Sequence, residues 1–168
     1  MMTREIESTT HQVCVIGIGN KFRNDDGIGL LVAEQLKEFS IPGVQVVALS
    51  GEGGDLLGAW SDTDTVFLID AVSSGSSTGT IRRIDVNHQV IPTELFHHST
   101  HAFSVVDCIE LAKILGTLPE RCILFGIEGK DFGMGTTISP AVKRAAGEVA
   151  TTIQGEINAI IALPVHRA

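Results

Sequence analysis

Two adjacent carboxylates, Asp25 and Asp26, stand in the stretch Gly17-Ile18-Gly19-Asn20-Lys21-Phe22-Arg23-Asn24-Asp25-Asp26-Gly27-Ile28-Gly29. Neighbouring acids repel, and partial burial raises their pKa, so such a pair is held against a penalty. A cation or a proton-transfer task offsets that penalty. Asp70 follows the apolar run Val66-Phe67-Leu68-Ile69, and His101 opens a helix-like segment. Carboxylates joined by one imidazole make a mixed oxygen and nitrogen set, suited to a divalent transition ion with open coordination positions. A carboxylate in the same place can instead act as general base on water. No serine or cysteine is paired with a base, which disfavours covalent catalysis. Simpler readings stand beside these. One of the two first-loop acids can cap the following helix, leaving the other for chemistry. An aspartate after a strand can be an ordinary loop residue, and His101 an ordinary surface one. His97 and His98 read as surface loop residues. Glu52 and Glu128 follow strand-like runs and can line the same crevice, although solvated carboxylates are the plainer reading.

The elements that would position these groups alternate along the chain. Apolar runs predict strands over Gln12–Gly19, Val44–Leu49, Thr65–Asp70, Thr80–Val86 and Arg121–Ile127. The first is apolar throughout, as a strand buried on both faces should be. Helical spacing predicts a helix over Gly27–Phe39, with Ile28, Leu31, Val32, Leu36 and Phe39 on one face. A short helix is expected over Asp55–Trp60. Another spans Ala102–Leu115, with Val105, Val106, Ile109, Ala112 and Leu115 facing inward and Ser99 or Thr100 as its N-cap. The last begins at Ser139-Pro140, proline being tolerated in a first turn, with a stripe of Val142, Ala145, Val149, Ile153, Ile157 and Ile160. Alternating strand and helix predicts an α/β fold: a three-layer sandwich with a twisted, mostly parallel sheet of about five strands and helices on both faces. Thr80–Val86 is the expected antiparallel or edge element. In such a sheet the carboxyl ends of the first and third strands flank one switch-point crevice, where ligands bind. That places Asp25 or Asp26 opposite Asp70.

Gly17-x-Gly19 suggests a dinucleotide loop, but the fingerprint needs a third glycine where Phe22 stands. Two aspartates would also repel a pyrophosphate. No P-loop or HExxH occurs. With 168 residues, 43 % hydrophobic and 19 % charged, one domain is expected. The formal charge of −8 without a basic cluster argues against nucleic acid and against anionic membranes. No apolar run reaches the length of a membrane span. Residues 1–11 are polar and mixed, which predicts a frayed start, no signal peptide and a cytoplasmic protein. Cys14, Cys108 and Cys122 form no CxxC and read as buried apolar thiols.

Taken in order, these stretches resemble the hydrogenase maturation proteases, the endopeptidases that trim the C-terminal extension of nickel–iron hydrogenase large subunits. The resemblance runs from about Val13 to about Ile160. It is carried by Gly17-x-Gly19-Asn20 with Asp25-Asp26-Gly27-x-Gly29, by Leu68-Ile69-Asp70-Ala71, by Ser99-Thr100-His101, by Gly126-Ile127-Glu128-Gly129 and by Ile138-Ser139-Pro140. The resemblance implies that Asp26, where many members have glutamate, Asp70 and His101 contact nickel, and so it selects Asp26 over Asp25. Many members have an aspartate after the second strand; here the chain reads Ser50-Gly51-Glu52, so Glu52 substitutes or that contact is absent. The implied partner is a nickel-loaded hydrogenase large-subunit precursor, with the nickel carried by that client and the protease a monomer or weak oligomer. The competing classes are a non-catalytic metal-sensing or chaperone module and a metal-dependent hydrolase of small amides.

Overall fold

A computed structural model describes residues 11–50, 53–96 and 104–164. Most of the expected frayed segment over 1–11 lies outside them. Five strands form one sheet: β1 (Val13–Ile18), β2 (Val44–Leu49), β3 (Thr65–Val72), β4 (Ile81–Asp85) and β5 (Arg121–Glu128). Their spatial order is β2-β1-β3-β5-β4. All neighbours pair in parallel except β4, which runs antiparallel to β5 at the sheet edge. Among the described residues the α-helices are α1 (Ile28–Glu38), α2 (Gly53–Ala59), α3 (Val105–Leu115) and α4 (Pro140–Ile161).

Burial sorts these helices into two layers. Val13, Val15, Phe67, Ile69, Ile123 and Phe125 point to one face and pack against α1 and α4. Their alternates, Cys14, Ile16, Val66, Leu68, Cys122 and Leu124, point to the other and pack against α2 and α3. Because both faces are covered, β1 is buried at every residue and its sequence is apolar without alternation. The α4 stripe is buried at all six expected positions. The expected stripes of α1 and α3 hold in their middles and peel away at their ends, where Phe39 and Leu115 are exposed and Cys108 joins the core instead. No helix among the described residues is long and apolar enough to cross a membrane.

Two expected boundaries are corrected. β3 does not stop at Asp70 but continues through Val72, and Asp70 pairs in register with Gly126. Helix α3 begins at Val105, not Ala102, and its cap is Ser104 rather than Ser99 or Thr100. Ser104 Oγ accepts from the Asp107 N–H while the Asp107 carboxylate accepts from the Ser104 N–H, a reciprocal capping box.

The chain crosses from β2 over β1 to reach β3, so the winding reverses between β1 and β3. That is the switch point, and α1 enters it closely. A Cβ on Gly29 would collide with the Ile18 and Ile69 carbonyl oxygens, and one on Gly17 with the Gly29 carbonyl. The glycine pair therefore lets the start of α1 lie on the backbones of β1 and β3. The loop before α1 is thereby held over the carboxyl ends of both strands.

Candidate active site

The loop from β1 to α1 is built by local hydrogen bonds. Gly19 adopts a φ of 152°, and its missing side chain leaves room for the Asp26 carbonyl. Asn20 folds the turn with its side-chain Oδ1 accepting from the Phe22 N–H at 2.9 Å. Asp26 Oδ2 accepts from the Asn20 N–H at 3.0 Å, so its carboxylate is tied back across the loop while remaining partly accessible.

Asp25 does not cap α1. That helix starts at Ile28, with Gly27 as its N-cap and no side-chain cap, after a single 3-10 turn over Asn24–Gly27. Asp25 is instead fully buried, at 0 % exposure, and reaches into the segment between β5 and α4. Its carboxylate accepts from the backbone N–H groups of Lys130 (2.8 Å), Asp131 (3.0 Å) and Ser139 (2.7 Å), and from the Ser139 hydroxyl (2.9 Å). Burial pushes its pKa up, but the four donors outweigh burial and hold the carboxyl below its ordinary value. It also lies at the start of α4, where the helix dipole favours a negative charge. Asn24, which the sequence reading passed over, does a matching task with a positive φ of 47°. Its side chain donates to Asp131 Oδ2 and accepts from the Thr137 N–H. The signal was an asparagine, a residue that tolerates left-handed backbone, beside the acidic pair.

Asp70 occupies the carboxyl-end portion of β3. By strand alternation it shares a side with Leu68 and Val72, the face covered by α2 and α3. Its carboxyl is pushed up to about 8, first by burial and then by the neighbouring Asp26 carboxylate, against the opposing pull of the Ala71 N–H at 2.9 Å. The structure thus brings Asp26 and Asp70 into electrostatic contact across the switch point. The folded state holds the Asp70 proton more tightly than the unfolded chain. Its stabilising contribution is therefore complete below the ordinary value of 3.8 and is lost as pH rises through about 8. We expect a carboxyl carbon NMR titration to place Asp70 near 8, and Asp26→Asn to lower that midpoint because the second cause is removed. An unchanged midpoint in the variant would show that the two carboxylates are not coupled.

His101, His97, His98 and Glu52 lie outside the described residues. Helix α3 leads directly into the amino end of β5, so its Val105 end faces the carboxyl ends of the strands. His101 precedes that end by four residues in sequence. Among the described residues, no three of histidine, cysteine, aspartate and glutamate converge as a metal-binding group. Glu128 is corrected: it is not solvated but 2 % exposed. Its carboxylate accepts from the Ser74 N–H, the Ser74 hydroxyl and the Gly75 N–H, which anchors the serine- and glycine-rich loop after β3. The three cysteines are buried, as expected. Burial pushes the thiols of Cys14 and Cys108 up to about 11 and that of Cys122 to about 12, so they stay protonated and poorly nucleophilic.

With this geometry in view, comparison with known proteins is specific. The sequence model of the hydrogenase maturation protease family, HycI, matches residues 30–156. The chain is 28 % identical over 155 residues to the putative hydrogenase maturation protease MJ0253 of Methanocaldococcus jannaschii, covering 87 % of this chain and 96 % of that one. It is 26 % identical over 135 residues to the hydrogenase expression/formation protein HupD of Thiocapsa roseopersicina, and spans 79 % of this chain but only 61 % of that relative. In three dimensions it resembles the crystal structure of the [NiFe] hydrogenase maturation protease HycI from Thermococcus kodakarensis, with a TM-score of 0.66, 26 % identity, and coverage of 88 % of this chain and 93 % of that one. The family match extends from the third residue of α1 well into α4, so it includes Asp70, and the structural match accounts for the five-stranded sheet between helices. The chain therefore belongs to the hydrogenase maturation protease family and is an endopeptidase.

Proposed function

We propose that this endopeptidase removes the C-terminal extension of a nickel-loaded hydrogenase large-subunit precursor, and that Asp26, Asp70 and His101 meet the client's nickel at the cut. The observation that carries this is the pairing of Asp26 with Asp70 at the switch point, where burial first and then repulsion from Asp26 lift the Asp70 pKa. Two adjoining carboxylates form a site that gains from a dication, and an oxygen-rich set with one imidazole suits a divalent transition metal. The name of the Thermococcus relative supports a nickel–iron client. The metal belongs to the substrate in this reading. Its arrival signals that the precursor is ready, and the protease is thereby licensed by its client. The water that attacks the scissile carbonyl gives its proton to a carboxylate of the same pair, a role that suits a group whose pKa lies near neutrality.

The test is to incubate the chain with nickel-loaded and with metal-free precursor and to weigh the products. The expected result is loss of the tail mass from the loaded precursor alone. Stable complex formation without cleavage would instead identify a metal-sensing binding module. Neither cleavage nor complex, with turnover of small amides, would identify a small-amide hydrolase. Equal trimming of the metal-free precursor would refute nickel recognition while leaving the protease activity in place.

A further inference from the structure

Phe22, the residue that spoils the dinucleotide pattern, is left without a role by the carboxylate chemistry. It is 56 % exposed on the loop that carries Asp26. Met134, in the segment between β5 and α4, is 86 % exposed. The two residues belong to backbones that are joined. The Gly135 N–H donates to the Phe22 carbonyl and the Asn24 N–H to the Gly135 carbonyl, both at 2.9 Å, and Arg23 pairs with Gly135 as a parallel bridge. The Asp25 and Asn24 hydrogen bonds described above fasten the same two segments from beneath. Two large apolar side chains are thus presented to solvent from a rigid base, four residues from Asp26 in one case. Isolated exposed apolar residues need no explanation, but a pair fixed together at a site lip does.

Beside Phe22 lie two shallow hollows that abut through shared lining residues, Lys21 and Leu30. One, of 340 Å³, runs past Gly19 and Phe22 to Leu49 at the carboxyl end of β2. The other, of 230 Å³, runs to Thr136 and Ile138. Lys21 sits over the Phe22 ring at 5.1 Å from its centre, a cation at the rim of a chain with a formal charge of −8.

We infer that this rim is a docking surface for the stretch of the precursor that adjoins the scissile bond, bound in extended form with an apolar side chain over Phe22 and Met134. The inference rests on the reading of a protein client. A chain whose bond is cut over Asp26 and Asp70 must leave the crevice across one of its lips, and this lip adjoins Asp26 directly. Aromatic and methionine side chains are those that anchor interfaces, and methionine adapts to varied partners. The rim would act on binding and not on chemistry, because neither side chain is placed to move a proton.

The experiment compares the wild-type chain, the double variant Phe22→Ser/Met134→Ser and a control, Ile114→Ser. Ile114 is 81 % exposed on α3 and far from the rim in sequence. Cleavage of loaded precursor is measured at varied concentration, and precursor affinity is measured separately by interferometry. A photo-crosslinking residue at position 22 is mapped by mass spectrometry. Since both side chains are exposed, the double variant should fold normally, which circular dichroism checks. The expected result is a KM and Kd raised by about tenfold, the scale of losing interface anchors, with kcat within about twofold and no effect of Ile114→Ser. Crosslinks should fall on the residues flanking the cut. Unchanged KM and Kd, or crosslinks only to remote parts of the precursor, would overturn the rim while leaving the protease reading intact. A shift from dimer to monomer with unchanged KM would overturn it in favour of self-association. If the wild-type chain binds precursor but never cuts it, the protease reading fails, and the Kd comparison still decides the rim.

Discussion

Asp26→Asn is expected to reduce precursor trimming by at least about 100-fold, the contribution of a positioned base or charge at a reacting centre, while leaving the fold intact. The reason lies in what each part of the Asp26 side chain touches. Its Oδ2 accepts one backbone N–H, that of Asn20, and an amide oxygen can take over that bond without moving the loop. The variant keeps the side chain's shape and removes its charge. That charge helps make the site attractive to a dication, and after burial it is the second cause that raises the Asp70 carboxyl. Removing it should lower nickel recognition and proton transfer together, so kcat/KM falls with little change in thermal midpoint. Mass spectrometry of the precursor after a fixed incubation reads the first, and circular dichroism melting the second. Native-rate trimming by a folded Asp26→Asn chain would remove Asp26 from the mechanism and leave the selection of Asp26 over Asp25 without support.

How far the sequence foretold this arrangement depends on the range of the interactions involved. Strands β1, β3 and β5 were legible because burial on both faces writes itself into uninterrupted apolar runs such as Val13–Ile18. The stripe of α4 was legible because one helix face meets one core. The neighbourhood of the first-loop acids and Asp70 followed from topology, since a reversal of winding between β1 and β3 brings the ends of those strands together, while the choice of Asp26 came from family likeness. What escaped was either subtly local or wholly remote. Ser104-x-x-Asp107 was readable as a capping box, yet Ser99 and Thr100 offered the same chemistry a few residues earlier. Glu128 gave no local sign that it binds Ser74 and Gly75, more than fifty residues back. Asp25 looked like a helix cap because caps are local, whereas its partners lie more than a hundred residues along the chain. His101 was a candidate from its place before a helix, and only family likeness gave it a nickel-contacting role.

Asp25→Ala is expected to destabilise the chain by about 3–5 kcal/mol, because it strands buried donors that no other described acceptor serves. Three backbone N–H groups and one hydroxyl converge on this carboxylate, in a place with no exposure to solvent. For a chain of this size the loss corresponds to a fall in Tm on the order of 10 °C. Asp25→Asn should also destabilise, unlike its neighbour. Whichever way the amide is turned, its NH₂ group faces a backbone N–H: that of Ser139 at one position, those of Lys130 and Asp131 at the other. The pH dependence has a definite sign. Asp25 is held below its ordinary value of 3.8, so its stabilising contribution is present above that value and is lost as the pH falls through its folded pKa. Wild-type stability should therefore drop on acidification in a way that the alanine variant, already lacking the carboxylate, does not share. The pair of asparagine substitutions then separates the two acids cleanly. Asp26→Asn should melt like the wild-type chain and fail to cut; Asp25→Asn should melt early, and the share that remains folded should lose activity in proportion to how far the Lys130–Ser139 segment has come loose. If Asp25→Asn instead melted like wild type and lost all activity, the buried acid would be part of the chemistry and not the clasp that holds Asp26 in place.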